Sequence, residues 1–331
     1  MSTYFFHPLS FSPFPASFPP SPLPPTELTP LFSTNRPDGW QSPLPFPLLT
    51  YNTISQTDPY HPVSLVLNCQ NYYFSNYSRA ADILMADIYP IGTFSSSANL
   101  SMSKWGTPCN STYGDCGCDN CFIAEEVLNV PSRFDDLQKY EEWLGLWPKP
   151  KLFNPQAFHG EGYWARDPTE DESWVMVLLA VNRGVKGVLS WVWPTSEVLG
   201  KAHGKMAGVL SGDEEVVRFL VEGRGPEKIV EAKGKGNKGI DAAGWVGVDG
   251  KKMLVSVVNT AEEGGGVEGV MVELEVPEGS KVGKVVWDES GADGGGTWEV
   301  KEGTWEVKEG KLTKNGMKRM GTALVILELS G

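Results

Sequence analysis

The chain has 331 residues, of which 40% are hydrophobic, and a formal net charge of −13. No apolar run reaches the ~18–20 residues that span a bilayer. An acidic surface repels nucleic acid and offers no polybasic membrane anchor, so neither partner is expected. The length accommodates one large domain and a small one. Twelve tryptophans point to carbohydrate, because an indole face stacks on the apolar face of a sugar ring; core filling is the other use of so many rings.

Thirteen of the first 50 residues are proline. The ring removes a backbone donor and blocks helix, so residues 1–50 are expected to be a disordered low-complexity segment. The opening has no basic stretch followed by an unbroken apolar one, so no signal peptide is recognisable. A misplaced gene start and a natural proline-rich linker both fit this composition.

From Tyr51 the texture changes. "HPVSLVLNC" (61–69) and "ADILMADIYP" (81–90) are short β-rich runs. A glycosylation sequon at Asn76 lies between the two runs, and after the second come sequons at Asn99 and Asn110 and the cluster Cys109, Cys116, Cys118 and Cys121. A disulfide-bearing secreted loop is the first reading of that cluster. A zinc site and free thiols are the alternatives, although a single C-x-x-C beside a C-x-C lacks the two-knuckle spacing of structural zinc. Cys69 leaves an odd cysteine over.

"PSRFDDLQKYEEWLGL" (131–146) has helical spacing with Ser132 as its N-cap, and "PKLFNPQAF" (150–158) is strand-like. "PTEDESWVMVLLAVNRG" (168–184) is a helix opened by a Thr169/Glu172 capping box and stopped at Gly184. "VKGVLSWVWP" (185–194) reads as a buried strand, and 196–223 as helix broken near Gly212. Strands alternating with helices predict a parallel sheet with crossovers.

Residues 224–240 are a glycine- and lysine-rich connector, and beyond them the period drops to two. Residues 241–331 are expected to form an antiparallel β-sandwich opened by a hairpin with an Asp249-Gly250 turn. "TWEVKEG" occurs at 297–303 and again at 304–310, a duplicated hairpin strand and too few copies for a solenoid.

The runs "DPYHPVSLVLN" (58–68), "ADILMADIYPIG" (81–92), "WPKPKLFNPQAFHGEGYW" (147–164) and "LLAVNRGVKGVLSWVWPTS" (178–196) resemble the C-terminal half of a (β/α)8-barrel glycoside hydrolase, of the fungal secreted kind with a β-sandwich appended. The resemblance runs from about Tyr51 to the end. It implies that residues 51–223 hold the fifth to eighth barrel strands, that the protein is extracellular, and that a carbohydrate is the substrate. Four strands should precede these, and 50 proline-rich residues cannot supply them, so the barrel is expected to be incomplete and its catalytic competence in doubt.

Barrel enzymes gather their chemistry at the C-terminal ends of the strands. Glycoside hydrolysis uses two carboxyls across one sugar. Glu161 and Asp87 are the two acids this half offers. Glu161 sits among glycines and aromatic rings, which can raise a carboxyl pKa. Its other reading is a loop acid binding a hydroxyl or Arg166, and Asp87 also reads as a binder or structural acid. Asn68, Tyr89, Gln156, His159, Trp164, Trp191 and Trp193 are the candidate substrate-binding residues, with barrel packing as the alternative for each ring. His61 and His203 have no evident partner. No G-x-S-x-G, H-E-x-x-H, P-loop or dinucleotide fingerprint occurs, so no metal and no cofactor are expected. A glycoside hydrolase and a non-catalytic carbohydrate-binding relic are the two functional readings.

Overall fold

The computed structural model describes residues 3–5, 46–67, 74–92, 127–160, 164–229, 239–261, 269–288 and 305–330. It is a mixed α/β structure in which four parallel strands and a separate set of antiparallel sheets fall into two compact units. Unit 1 comprises residues 1–167 and 187–193, and unit 2 residues 168–186 and 194–331. The chain therefore passes between the units three times.

In unit 1 the parallel strands are β2 (Ser64–Leu67), β3 (Ile83–Ile88), β4 (Lys151–Pro155) and β5 (Gly187–Leu189), paired in that order. Leu84, Met85, Ala86, Ile88, Phe153 and Val188 are buried, giving the near-continuous apolar runs of a sheet covered on both faces. The proline-rich opening departs from the expected disorder at two places. Strand β1 (Thr3–Phe5) pairs antiparallel with β5, and helix α1 spans Phe46–Thr57. Helix α2 (Phe74–Tyr77) and a 3₁₀ turn (Ser78–Ala80) precede β3.

Helix α3 is Asn129–Trp143, starting earlier than the pattern suggested. Its N-cap is Leu128 with no side-chain cap, and Ser132 lies inside the helix. Phe134 and Leu137 are fully buried on its inner side, and the Phe134 ring meets Phe153 edge-on at 5.7 Å. The N-terminal ends of the strands are tied by polar contacts. Tyr51 Oη donates to Asp82 Oδ1 (2.7 Å), whose Oδ2 accepts the Val63 N–H (2.8 Å). Lys151 pairs with buried Glu141 (2.6 Å), and the Lys149 ammonium caps the carbonyls of Ser78 and Ala81. Burial lowers the Lys149 pKa, opposed by Asp82 and Glu141.

In unit 2, helix α4 is Glu170–Val181. Its capping box is formed as read: Thr169 Oγ1 accepts the Glu172 N–H (3.2 Å) and Glu172 Oε2 accepts the Thr169 N–H (2.8 Å). Helices α5 (Glu197–Leu210) and α6 (Glu214–Glu222) follow, broken at Gly212 and capped by Ser196 and Asp213. Strand β6 (Arg224–Lys228) lies within the stretch expected as connector and pairs with β7 (Ile240–Val246). The expected hairpin is present: β7 turns through Gly250, at φ +69°, into β8 (Lys252–Asn259).

The remaining strands are β9 (Val270–Glu275), β10 (Lys281–Asp288), β11 (Glu306–Lys308), β12 (Lys311–Met317) and β13 (Thr322–Glu328). β11 is the second copy of the repeat; the first lies outside the described residues, as do Cys69 and the four-cysteine cluster. One sheet runs β10-β13-β8-β7-β6 and the other β11-β12-β9. Val255, Val257, Val325 and Leu327 share a core with Val272, Leu274 and Leu312 of the smaller sheet.

By the period of two, Leu254, Ser256, Leu324 and Ile326 point the other way. They too are buried, and α4 packs on β8 and β13. Trp174 of α4 stacks on Trp287 of β10 at 3.8 Å. This packing groups α4–α6 with the antiparallel sheets, a grouping that differs from the chain-order division at 223 and 241.

Candidate functional site

The C-terminal ends of β3, β4 and β5 come together because the register sets Asp87 beside Asn154 and Ile88 beside Pro155. Pairing continues past the end of β5. Trp191 donates its N–H to the Pro155 carbonyl (3.0 Å) and accepts the Ala157 N–H (2.6 Å), forming a parallel bridge between Gln156 and Trp191.

Gln156 is wholly buried. Its amide oxygen accepts the Ile91 N–H (2.9 Å), and its amide nitrogen donates to the carbonyls of Ile91 (2.9 Å) and Phe158 (3.1 Å). It thus staples the loop after β3 to the loop after β4. Tyr89 is buried and donates its hydroxyl to Asn154 Oδ1 (3.1 Å). Trp164 is buried and donates Nε1–H to the Tyr89 carbonyl (3.0 Å). Phe158 meets both rings edge-on, at 5.1 and 4.8 Å. Tyr89, Gln156 and Trp164 form the frame of this face.

The loop after β4 is closed by a two-bond bridge. Gly160 N–H donates to the Trp164 carbonyl (2.6 Å), and Trp164 N–H to the Gly160 carbonyl (3.0 Å). Gly160 has φ +101°, a region closed to residues with a Cβ at little cost. Ala165 N–H then bonds the Gly92 carbonyl (2.6 Å). At Gly92, also at positive φ, an added Cβ would lie 2.8 Å from the Arg166 carbonyl oxygen, so only glycine allows the two loops this close. Glu161 lies between the two anchors and outside the described residues, as does Asn68.

Trp191 and Trp193 present rings to solvent, with relative exposures of 45% and 60%. Asp87 is half-buried on β3 and is the one carboxylate on the last two positions of β2–β5. His159 is exposed, and its Nδ1 lies 2.8 Å from Asp167 Oδ1. Asn154, Phe158 and Asp167 also belong to this site, and no motif in the sequence marks them. Alternation along β4 would have flagged Asn154 as an unpaired polar core position; nothing local marks Asp167 as a partner of His159.

Of the sequons, Asn76 is half-buried in α2; Asn99 and Asn110 lie outside the described residues. His61, thought unpartnered, meets Asp58 at 2.7 Å, and that contact lowers the Asp58 pKa. Among the described residues no cluster of His, Cys, Asp and Glu is arranged to hold a metal, and no helix is long and apolar enough to cross a membrane. A cleft of about 360 Å³ lies elsewhere, in unit 2, between α6 and the β7–β8 turn; it contains none of these residues, and Lys252 and Glu215 in its wall pair with each other.

No protein-family model and no curated protein matches the chain. Among solved structures it is similar to the thermostable GH51 α-L-arabinofuranosidase from Thermotoga petrophila RKU-1, at 13% identity and a TM-score of 0.41, covering 86% of this chain and 61% of that one. The α-L-arabinofuranosidase from Thermotoga maritima in its arabinose complex gives 11% and 0.39, covering 90% and 64%. An AmyP variant in complex with maltotriose gives 11% and 0.28, covering 76% and 42%. The chain thus spans less than two thirds of the length of each of these proteins.

Proposed function

We propose that unit 1 binds carbohydrate at the C-terminal ends of β3–β5 and that the chain contributes this face to a glycoside hydrolase. The observation that carries the reading is the pair of exposed rings, Trp191 and Trp193, beside a rigid frame of buried polar and aromatic groups. Large exposed rings cost free energy in water and are set to stack on an apolar ligand face. The four parallel strands are read as strands 5–8 of a (β/α)8 barrel, and the antiparallel sheets as a β-sandwich. Glu161 is assigned as the catalytic carboxyl. Its partner is Asp87 or an acid that the described residues do not include, because hydrolysis uses two carboxyls.

The second reading is a non-catalytic carbohydrate binder. It is favoured by Gln156, an amide at the strand end where a carboxylate would serve a hydrolase. The test is binding of neutral oligosaccharides of glucose, xylose, mannose, galactose and arabinose, measured by calorimetry, alongside release of reducing sugar. At least one should bind. Trp191→Ala and Trp193→Ala should each weaken it about tenfold, ~1.4 kcal/mol. Because hydrolysis uses two carboxyls, turnover is measured on the chain and on a version restored with upstream barrel strands. Turnover that Glu161→Gln abolishes while binding is retained supports the hydrolase; binding with no hydrolysis by either version supports the binder. Absence of binding to every sugar rejects both.

A further inference from the structure

The loop after β4 holds a histidine in a manner that burial does not require. Its ring nitrogen Nδ1 lies 2.8 Å from Asp167 Oδ1, yet the histidine side chain is 60% exposed and the aspartate side chain 24%. An exposed imidazole gains little stability from such a contact, because water screens it and ordering the ring costs rotamer entropy. The backbone around the pair is fixed on every side. Phe158, the preceding residue, is wedged between Tyr89 and Trp164. Gly160, the following residue, is in the two-bond bridge to Trp164. Arg166 Nη1 donates to the Asp167 carbonyl (3.1 Å), and the close approach at Gly92 fixes Arg166.

The chemistry of the pair follows from its donors and acceptors. An ionised carboxylate only accepts, so Nδ1 must carry the hydrogen that joins them. In the neutral ring Nε2 then bears the lone pair, and no described residue is bonded to it. Position is set by the chain: Ala157 is bonded to the Trp191 carbonyl, and His159 is two residues further, at most ~7–8 Å along the backbone.

We propose that His159 is the polar anchor of this face, accepting a ligand hydroxyl at Nε2, and that Asp167 is its positioning residue. A secondary hydroxyl next to the apolar sugar face that stacks on Trp191 or Trp193 is the group this acceptor suits. The proposal rests on the carbohydrate reading above and names its first polar contact.

The test joins a spectroscopic measurement that needs no ligand to a binding measurement. Long-range proton–nitrogen NMR of the wild-type chain should show His159 in the Nδ1–H tautomer. Asp167→Ala should move it to the commoner Nε2–H form, and Asp167→Asn, which keeps an acceptor oxygen, should largely preserve it. With the tightest-binding oligosaccharide of the panel, His159→Ala and Asp167→Ala should each raise Kd about tenfold. The double variant should bind no worse than His159→Ala alone, because the two residues act as one unit. An unchanged tautomer in Asp167→Ala overturns the positioning role, and unchanged affinity in His159→Ala overturns the anchor, in both cases leaving the carbohydrate reading standing. Failure of the wild-type chain to bind any sugar overturns the reading beneath the proposal, and the proposal with it.

Discussion

Gln156, expected from the sequence to bind substrate, is also a structural tie. It follows the last residue of β4, and its amide faces two carbonyls and one N–H. A carboxylate there would set a negative charge against two carbonyl oxygens, and a protonated acid has one hydrogen for the two. Gln156→Glu, which is almost isosteric, should therefore lose stability by about 2–3 kcal/mol in urea unfolding, and gain no hydrolytic activity. His203 carries a second prediction at this scale. It is buried on α5, its Nε2 has no hydrogen-bond partner among the described residues, and burial pushes its pKa down from 6.5 to about 4. The folded state thus resists protonation. Its contribution is complete above pH 6.5, is lost as pH falls from 6.5 towards 4, and then levels off. Roughly 2–3 kcal/mol should go between pH 7.5 and 4.5. His203→Met should remove that part of the pH slope, read as the difference between the two chains in unfolding midpoints.

Helix α4 separates what is local in the sequence from what is not. Its start was legible, because a capping box involves residues three apart and its two hydrogen bonds form wherever the helix lies. Thr169→Ala should cost about 1 kcal/mol and Thr169→Ser much less, measured by denaturant unfolding. Its partner was not legible. Ser173 to Val181 are buried on all sides, and a helix apolar all round shows that it is covered without showing by what. The alternation of strands and helices gave no sign that β8 and β13 pack against it. The same limit applies to the site. Trp191 and Trp193 were visible at the end of the run read as a buried strand over 185–194, although β5 stops at Leu189 and leaves both rings exposed. The staple at Gln156 links residues 65 apart, and no period reports it. Ser132 looked like an N-cap, but the helix gains a further turn by burying Val130 and Pro131.

For the whole molecule, the four parallel strands were readable from their apolar runs, and the antiparallel sheets from the switch to a period of two. The division into units was not, since it depends on which surfaces meet. One arrangement bears on how the chain is made. Trp174 emerges 113 residues ahead of Trp287, the ring on which it stacks. At ~5–20 residues per second, about 6–23 s separate the two during synthesis. Through that interval the apolar surface of α4 is on a nascent chain whose own sheet does not yet exist. The helix therefore stays without its partners until β8, β10 and β13 have all been made.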